Sequence, residues 1–281
     1  MKTVVTMTSY PARIIFLPNI IKYFYETQIC LPDIFYLWLA EEDFPNKEKD
    51  LSINLIETCK KFNVIIKWTK LNEYCHKRWY VYPQHFNDLV ISIDDDTRYD
   101  ANLIKFAKEL KDTKSIYNIF GNRTFFSLYQ GIHFICYFNT TDYRPSIYKT
   151  FLGQCIIPPG VFPLEAITPE NIKLRQKYCK ICDQCWLTPF IKFNEIKIGY
   201  LPFKHDEIVY ISEINKTYNL LNKEIENNLT ISDLQLYIVL KLFPEKLKKF
   251  KQLFPSYITD DIDHYPFDDL LKMINTTQAN K

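Results

Sequence analysis

The run Leu89-Val-Ile-Ser-Ile-Asp94-Asp95-Asp96 decides how this chain is read. Leu89 to Ile93 is short and almost wholly apolar, as a strand covered on both faces requires. Three acids follow it at once. In an extended chain side chains alternate, so Asp94 and Asp96 point the same way. Two carboxylates brought to about 4 Å repel by roughly 4 kcal/mol at an effective dielectric near 20. Such a pair at the tip of a buried strand makes sense where a cation neutralises it. Hard carboxylate oxygens suit Mg²⁺ or Mn²⁺, held by one or two carboxylates plus substrate phosphates. The plainer alternative is a polar turn in which Asp96 or Asp100 caps the next helix. Two other acidic motifs fit poorly. A D-x-D-x-T pattern started at Asp94 needs a threonine where Arg98 stands, and an EF-hand loop needs a glycine near its sixth position.

Working outward, the first hundred residues alternate strand and helix. Thr3 to Thr8, Ile34 to Leu39 and Val64 to Trp68 read as strands. Leu17 to Thr27 and Leu51 to Phe62 carry apolar residues at spacings of three and four, the helical pattern. Cys75 to Phe86 reads as partly helical, ended or kinked by Pro83. Strands spaced by helices of this length predict βαβ units and a mostly parallel sheet, with ligands beyond the carboxyl ends of the strands. Further on, Asp100 to Leu110 reads as helix. Ser115 to Phe120, Gly131 to Phe138 and Gln154 to Ile157 read as strands. Pro169 to Tyr178 and Asp183 to Phe193 read as helices, and Ile196 to Leu201 as a strand. The pattern predicts a main domain over residues 1–207 and a helical extension over 208–281.

Composition excludes several classes. Lys+Arg is 35 against 33 Asp+Glu, a net charge of +2, which is no electrostatic footprint for nucleic acid. With 5 glycines, the chain has neither G-x-G-x-x-G nor G-x-x-x-x-G-K-[ST], so any phosphates must be held some other way. No stretch approaches the roughly 20 apolar residues of a bilayer span, and no signal-peptide pattern opens the sequence. The expectation is a cytoplasmic protein whose 8 cysteines are mostly thiols.

A set of motifs in order and spacing now becomes informative: Val4-Val-Thr-Met-Thr-Ser-Tyr-Pro-Ala-Arg13, Pro32-Asp33 before a strand, Glu42-Asp-Phe-Pro45, Trp68, Tyr74 with Lys77, and Ile91-Ser-Ile-Asp-Asp-Asp96. The chain resembles bacterial and protist glycosyltransferases of the GT-A fold, family-2-like, over roughly residues 3 to 205. The resemblance implies an α/β fold with helices flanking a central sheet, and a nucleotide-sugar lying across the ends of the first strands. It implies that Thr8, Ser9, Tyr10 and Arg13 line the nucleotide pocket, and that Asp94, Asp95 and Asp96 form the D-x-D that touches ribose and metal. Physically, Arg13 can fork onto phosphate oxygens and Tyr10 offers a face to a base. Lys77 can neutralise a phosphate, or lie on a solvated face within Cys75-His-Lys-Arg78.

Transfer to a hydroxyl needs a base unless the mechanism is retaining. Such families place it at a helix start, often as D-D-x-W. Here the match is Asp183-Gln184-Cys185-Trp186, so Asp183 is the candidate catalytic carboxylate that orients or deprotonates the acceptor, with Gln184 in place of the second acidic residue. The alternative for Asp183 is a helix cap. Pro158-Pro159-Gly160 after Gly153 resembles the turn beneath the donor sugar. A late histidine often completes the metal set, which points to His205 beside Asp94 and Asp96. The expected function is metal-dependent transfer of a hexosyl group from a nucleotide-diphosphate donor, by resemblance UDP, to a glycan or glycolipid hydroxyl. A non-catalytic nucleotide-sugar or glycan-binding relative of the same fold is the alternative. Two features stand apart. Cys179-x-x-Cys182-x-x-Cys185, with Cys155, has the spacing of a metal site or of buried thiols. Residues 234–254 combine apolar residues with Lys246, Lys248, Lys249 and Lys251, which fits peripheral membrane contact or a helix packed on the core.

Overall fold

In the computed structural model the described residues are 1–119, 145–146, 151–201 and 238–253, with short strand pieces at 127–128, 132–133, 209–210, 224–226 and 229–230. The boundary expected between residues 207 and 208, and His205, lie outside them. Two compact units emerge. The first comprises Met1–Phe120, Leu152–Phe162 and Tyr200–Tyr218, and the second Gly121–Phe151, Pro163–Gly199 and Asn219–Lys281.

The first unit is built on β1 (Thr3–Thr8), α1 (Leu17–Thr27), β2 (Ile34–Ala40), α2 (Ile53–Lys61), β3 (Val64–Thr69), a 3-10 segment (Tyr74–Val81), α3 (Tyr82–His85), β4 (Leu89–Ile93) and α4 (Leu103–Glu109). β1 pairs in parallel with both β2 and β4, and β2 in parallel with β3. The strand Cys155–Ile157 then runs antiparallel between β4 and the strand Ser115–Asn118. Beyond Ser115–Asn118 lies Lys197–Tyr200, the last of seven strands in a mostly parallel sheet. At that edge the Leu201 N–H donates to the Asn118 carbonyl at 3.1 Å.

Strand periodicity divides the residues between two unlike faces. Val5 and Met7, Phe35, Leu37 and Leu39, and Leu89, Ile91 and Ile93 share one core with Leu17, Ile20, Ile21 and Phe24 of α1, Leu55 and Cys59 of α2, and Leu103, Ile104 and Ala107 of α4. The intervening residues Thr6, Tyr36 and Ser92 face the other way. That face is covered by the 3-10 segment and α3 and is tied by polar contacts. Thr6 Oγ1 donates to the Arg78 carbonyl at 3.0 Å, Tyr36 Oη meets His85 Nε2 at 3.1 Å, and Arg78 Nη1 donates to Ser92 Oγ at 3.2 Å. Every residue of β1 and β4 is buried, as expected for strands covered twice.

Local chemistry sets the helix ends. Ser52 accepts the Leu55 N–H at 3.2 Å at the start of α2. Ser52→Ala is expected to cost about 1 kcal/mol, seen as a lower urea midpoint at unchanged slope. The 3-10 segment ends at Val81 and α3 starts at Tyr82, with Pro83 in its first turn, a position that tolerates proline. Gly160 adopts φ 75°, and its N–H donates to the Phe86 carbonyl at 2.8 Å. The Pro158-Pro159-Gly160 turn thus needs glycine for its backbone.

The second unit holds α5 (Pro169–Tyr178), α6 (Asp183–Phe193) and the helix Pro244–Leu253. Trp186 Nε1 donates to the Ala166 carbonyl at 2.8 Å, and the rings of Trp186 and Phe190 meet Phe243. Two of the four lysines read as a membrane-facing set are engaged within this unit. Lys246 is buried, 3.3 Å from Glu165 Oε1, with its ammonium over the Phe190 and Phe193 rings, and Lys249 pairs with Glu195. Among the described residues no helix is long and apolar enough to cross a membrane.

Candidate active site

The parallel register of β1 and β4 builds the site. Met7 pairs with Ile93, so two residues later Ser9 meets Asp95. Ser9 Oγ donates to Asp95 Oδ2 at 2.5 Å. The chain then turns through Tyr10 and Pro11, with the Arg13 N–H donating to the Tyr10 carbonyl at 3.0 Å. That turn swings the Arg13 side chain back over the acids. Arg13 Nη1 lies 2.8 Å from Asp95 Oδ1 and 2.9 Å from Asp96 Oδ2. The guanidinium also sits 5.5 Å from the centroid of the Tyr10 ring.

Asp94 is held from the other side. Arg78 Nη1 is 2.6 Å from its Oδ1, and Gln154 Nε2 donates to its Oδ2 at 2.5 Å. Tyr99 joins the two ends of this arrangement, accepting the Asp94 N–H and donating to Gln154 Oε1, both at 2.7 Å. Thr97 Oγ1 donates to Asp96 Oδ1 at 3.1 Å. All six carboxylate oxygens of the triple acid therefore have a protein partner.

Electrostatics follow from burial and from like charge. Burial raises the Asp95 carboxyl above the usual range despite Arg13 and Ser9. Burial, and next the charge of Asp94, push Asp96 up to about 6. Burial opposes the charge on Arg13, but Asp95 and Asp96 outweigh it and hold the guanidinium more firmly protonated than in water. Lys77 is buried rather than on a solvated face. Its Nζ donates to Asn72 Oδ1 at 3.1 Å, and burial lowers it to about 8 against the pull of Asp43, Cys75 and Asp95. Thr8 supports the backbone, its Oγ1 shared between the carbonyls of Trp38 at 3.2 Å and Tyr74 at 3.3 Å.

The structure thus brings Ser9, Tyr10, Arg13, Asp95 and Asp96 to one place, with Asp94 on its Arg78 side. Arg78, Gln154 and Tyr99 are members that the sequence reading does not assign. Asp183 belongs to the second unit, buried at the first helical position of α6. Cys182 occupies the N-cap, and the charge of Asp183 reaches buried Arg175. A carboxylate there is favoured by the helix dipole. Among the described residues no group of three or more His, Cys, Asp or Glu is placed to hold a metal. Cys179, Cys182 and Cys185 are buried thiols of the second unit, Cys179 Sγ donating to the Cys182 carbonyl at 3.2 Å. Asp94 and Asp96 still have the chemistry of a two-carboxylate site. They are hard oxygen donors whose mutual repulsion a divalent cation would relieve, the remaining positions falling to phosphate and water.

No protein-family model matches the chain, and no curated protein matches it. Solved structures do. The S. aureus TarS 1–349 structure is 10% identical, with a TM-score of 0.51, covering 100% of this chain and 92% of its own. TarS 1–349 in complex with UDP-GlcNAc is 14% identical, with a TM-score of 0.46 and coverage of 100% and 93%. The mannosyltransferase PcManGT of Pyrobaculum calidifontis, in complex with GDP-Man and Mn²⁺, is 9% identical, with a TM-score of 0.45 and coverage of 99% and 74%. Cytidylyltransferases also match, with TM-scores below 0.5. The seven-stranded, mostly parallel sheet flanked by helices is a GT-A-type glycosyltransferase fold.

Proposed function

We propose that the chain is a metal-dependent glycosyltransferase. It moves a sugar from a nucleotide-diphosphate donor, a uridine one by the sequence resemblance, to a hydroxyl of a glycan or glycolipid. The observation that carries this reading is the convergence of Ser9, Arg13, Asp95 and Asp96 beyond the carboxyl ends of adjacent parallel strands, where ligands bind in such sheets.

In this reading each residue takes a distinct role. Asp94 and Asp96 would hold Mn²⁺ or Mg²⁺, which would supply charge neutralisation to the departing diphosphate. Asp95 fixes Ser9 and Arg13 and reaches the ribose. Arg13 and Lys77 bring positive charge to the phosphates. Tyr10 presents its ring to the base, and Thr8 holds the turn. His205 completes the metal set, and Asp183 orients the acceptor hydroxyl or takes its proton. The carboxylates are thereby divided: Asp94 and Asp96 would hold the cation that meets the leaving group, and Asp183 serves the acceptor hydroxyl.

The test is a thermal-shift screen of nucleotide-sugars with and without Mn²⁺, since a ligand that binds only the folded state raises the melting temperature. It is followed by an assay of nucleoside-diphosphate release. The expected result is a Mn²⁺-dependent shift for a UDP-sugar, with release that Asp96→Ala abolishes. Gln184, where the resembling families carry a second acid, favours one alternative: a binding protein of the same fold. Tight donor binding with no release, across acceptors, would establish that alternative instead.

A further inference from the structure

The two arginines around the triple acid are held very differently. Arg78 is buried and locked. Its Nε donates to the Cys75 carbonyl at 3.1 Å, while its Nη1 reaches Ser92, the Gly153 carbonyl and Asp94. Arg13 makes both of its ion pairs through a single nitrogen, its Nε is buried without a hydrogen bond, and its other contact is with the Tyr10 ring. That one Nη1 stands between two carboxylates at 2.8 and 2.9 Å, the position of a bridging cation. One of those carboxylates, Asp96, is assigned to the metal in the reading above. Arg13 also stems from a short turn rather than from a strand or helix interior. Its support is therefore local, and its planar donor set is only partly used.

We infer that Arg13 is a resident counter-cation. It occupies the carboxylates of Asp95 and Asp96 in the unliganded protein, and it passes to the donor's phosphates when metal and nucleotide bind. This rests on the proposed metal–diphosphate site. Metal binding alone must draw Asp96 away from Arg13 and leave a half-buried guanidinium with fewer acceptors. A diphosphate offers that guanidinium new ones. The two ligands are then coupled through one side chain, and by linkage each strengthens the other equally. Arg78 keeps Asp94 in place throughout.

The test is calorimetric titration of Mn²⁺ into the full chain, with and without saturating UDP, for the native protein and Arg13→Gln. UDP is expected to tighten Mn²⁺ binding at least tenfold in the native protein. In Arg13→Gln, Mn²⁺ alone should bind more tightly, and the tightening by UDP should fall at least fivefold. The ratio is the discriminating readout, because merely deleting a nearby positive charge tightens Mn²⁺ with and without UDP alike. An unchanged ratio overturns the counter-cation role and leaves the metal–nucleotide site standing. Absence of Mn²⁺ binding to either protein, UDP present or not, removes the site itself. Should Arg13→Gln not fold, guanidinium ¹⁵N spectra of the native protein decide. A shift of the Arg13 signals on adding Mg²⁺ and UDP supports the exchange, and signals that stay in place overturn it.

Discussion

Asp95→Ala is expected to lower the stability of the folded chain by about 3 kcal/mol, the scale for breaking a buried ion pair. Asp95→Asn should cost less than half as much. Asp95 is the innermost of the three acids, and burial holds its carboxyl above the usual range even beside Arg13. The charge itself is therefore a burden to the fold, and asparagine removes it. What the fold uses are the two oxygens. Oδ2 accepts from Ser9 at 2.5 Å and Oδ1 from Arg13 at 2.8 Å. Asparagine keeps the shape: its oxygen can accept from Arg13 while its amide donates to the Ser9 hydroxyl oxygen, whereas alanine leaves a buried hydroxyl and half of a guanidinium contact unsatisfied, at about 1–3 kcal/mol for such a group. Arg13 retains Asp96 in either variant, which limits the loss. Urea unfolding followed by tryptophan fluorescence checks this. Equal losses in the two variants would mean that charge, not hydrogen-bond geometry, joins β1 to β4 at their tips.

That junction also shows which parts of the molecule can be read from a sequence. β1, α1, β4, α5 and α6 have the bounds that local periodicity predicts, because each is specified by residues within one turn or one pleat of each other. The strand Cys155–Ile157 is also visible locally, but its antiparallel place between β4 and Ser115–Asn118 depends on partners far along the chain. Helix α4 begins at Leu103 rather than Asp100. Thr97–Arg98 pairs with the strand Val209–Tyr210, and Asp100 closes its own turn by accepting the Asn102 N–H. Within the site, side-chain alternation ranks Asp94 and Asp96 together and leaves Asp95 between them. The strand ends at Ile93, however, so a period of two no longer governs the acids, and Asp95 takes the inner position. Arg78 is illegible for a different reason. Nothing near it in sequence marks it, and it reaches Asp94 only because the 3-10 segment crosses the polar face of the sheet.

Lys77 is the member of that segment whose replacement should separate stability from binding. In the native protein its ammonium is buried, and burial lowers it from 10.5 to about 8. A lysine lowered in this way binds its proton less readily folded than unfolded. Its charge therefore opposes folding fully below pH about 8, and the opposition fades as pH rises from about 8 towards 10.5. Its scale is roughly 3 kcal/mol. Methionine matches the length of the stem without the charge, and its cost is the hydrogen bond to Asn72, about 1 kcal/mol. Lys77→Met should therefore be more stable than the native chain at pH 7, by about 1–2 kcal/mol once both effects are counted. The rise in native stability between pH 8 and 10 should be missing from the variant. A buried cation retained against such a cost is best explained by a ligand that needs it, so the same variant should bind UDP at least tenfold more weakly. Denaturation at pH 7 and pH 9.5, with UDP titration at pH 7, measures all three. A variant that is stabilised yet binds UDP as well as the native chain would remove Lys77 from the diphosphate site. A variant that is destabilised at pH 7 would mean that Asn72, Asp43 and Asp95 compensate the ammonium better than its lowered proton affinity implies.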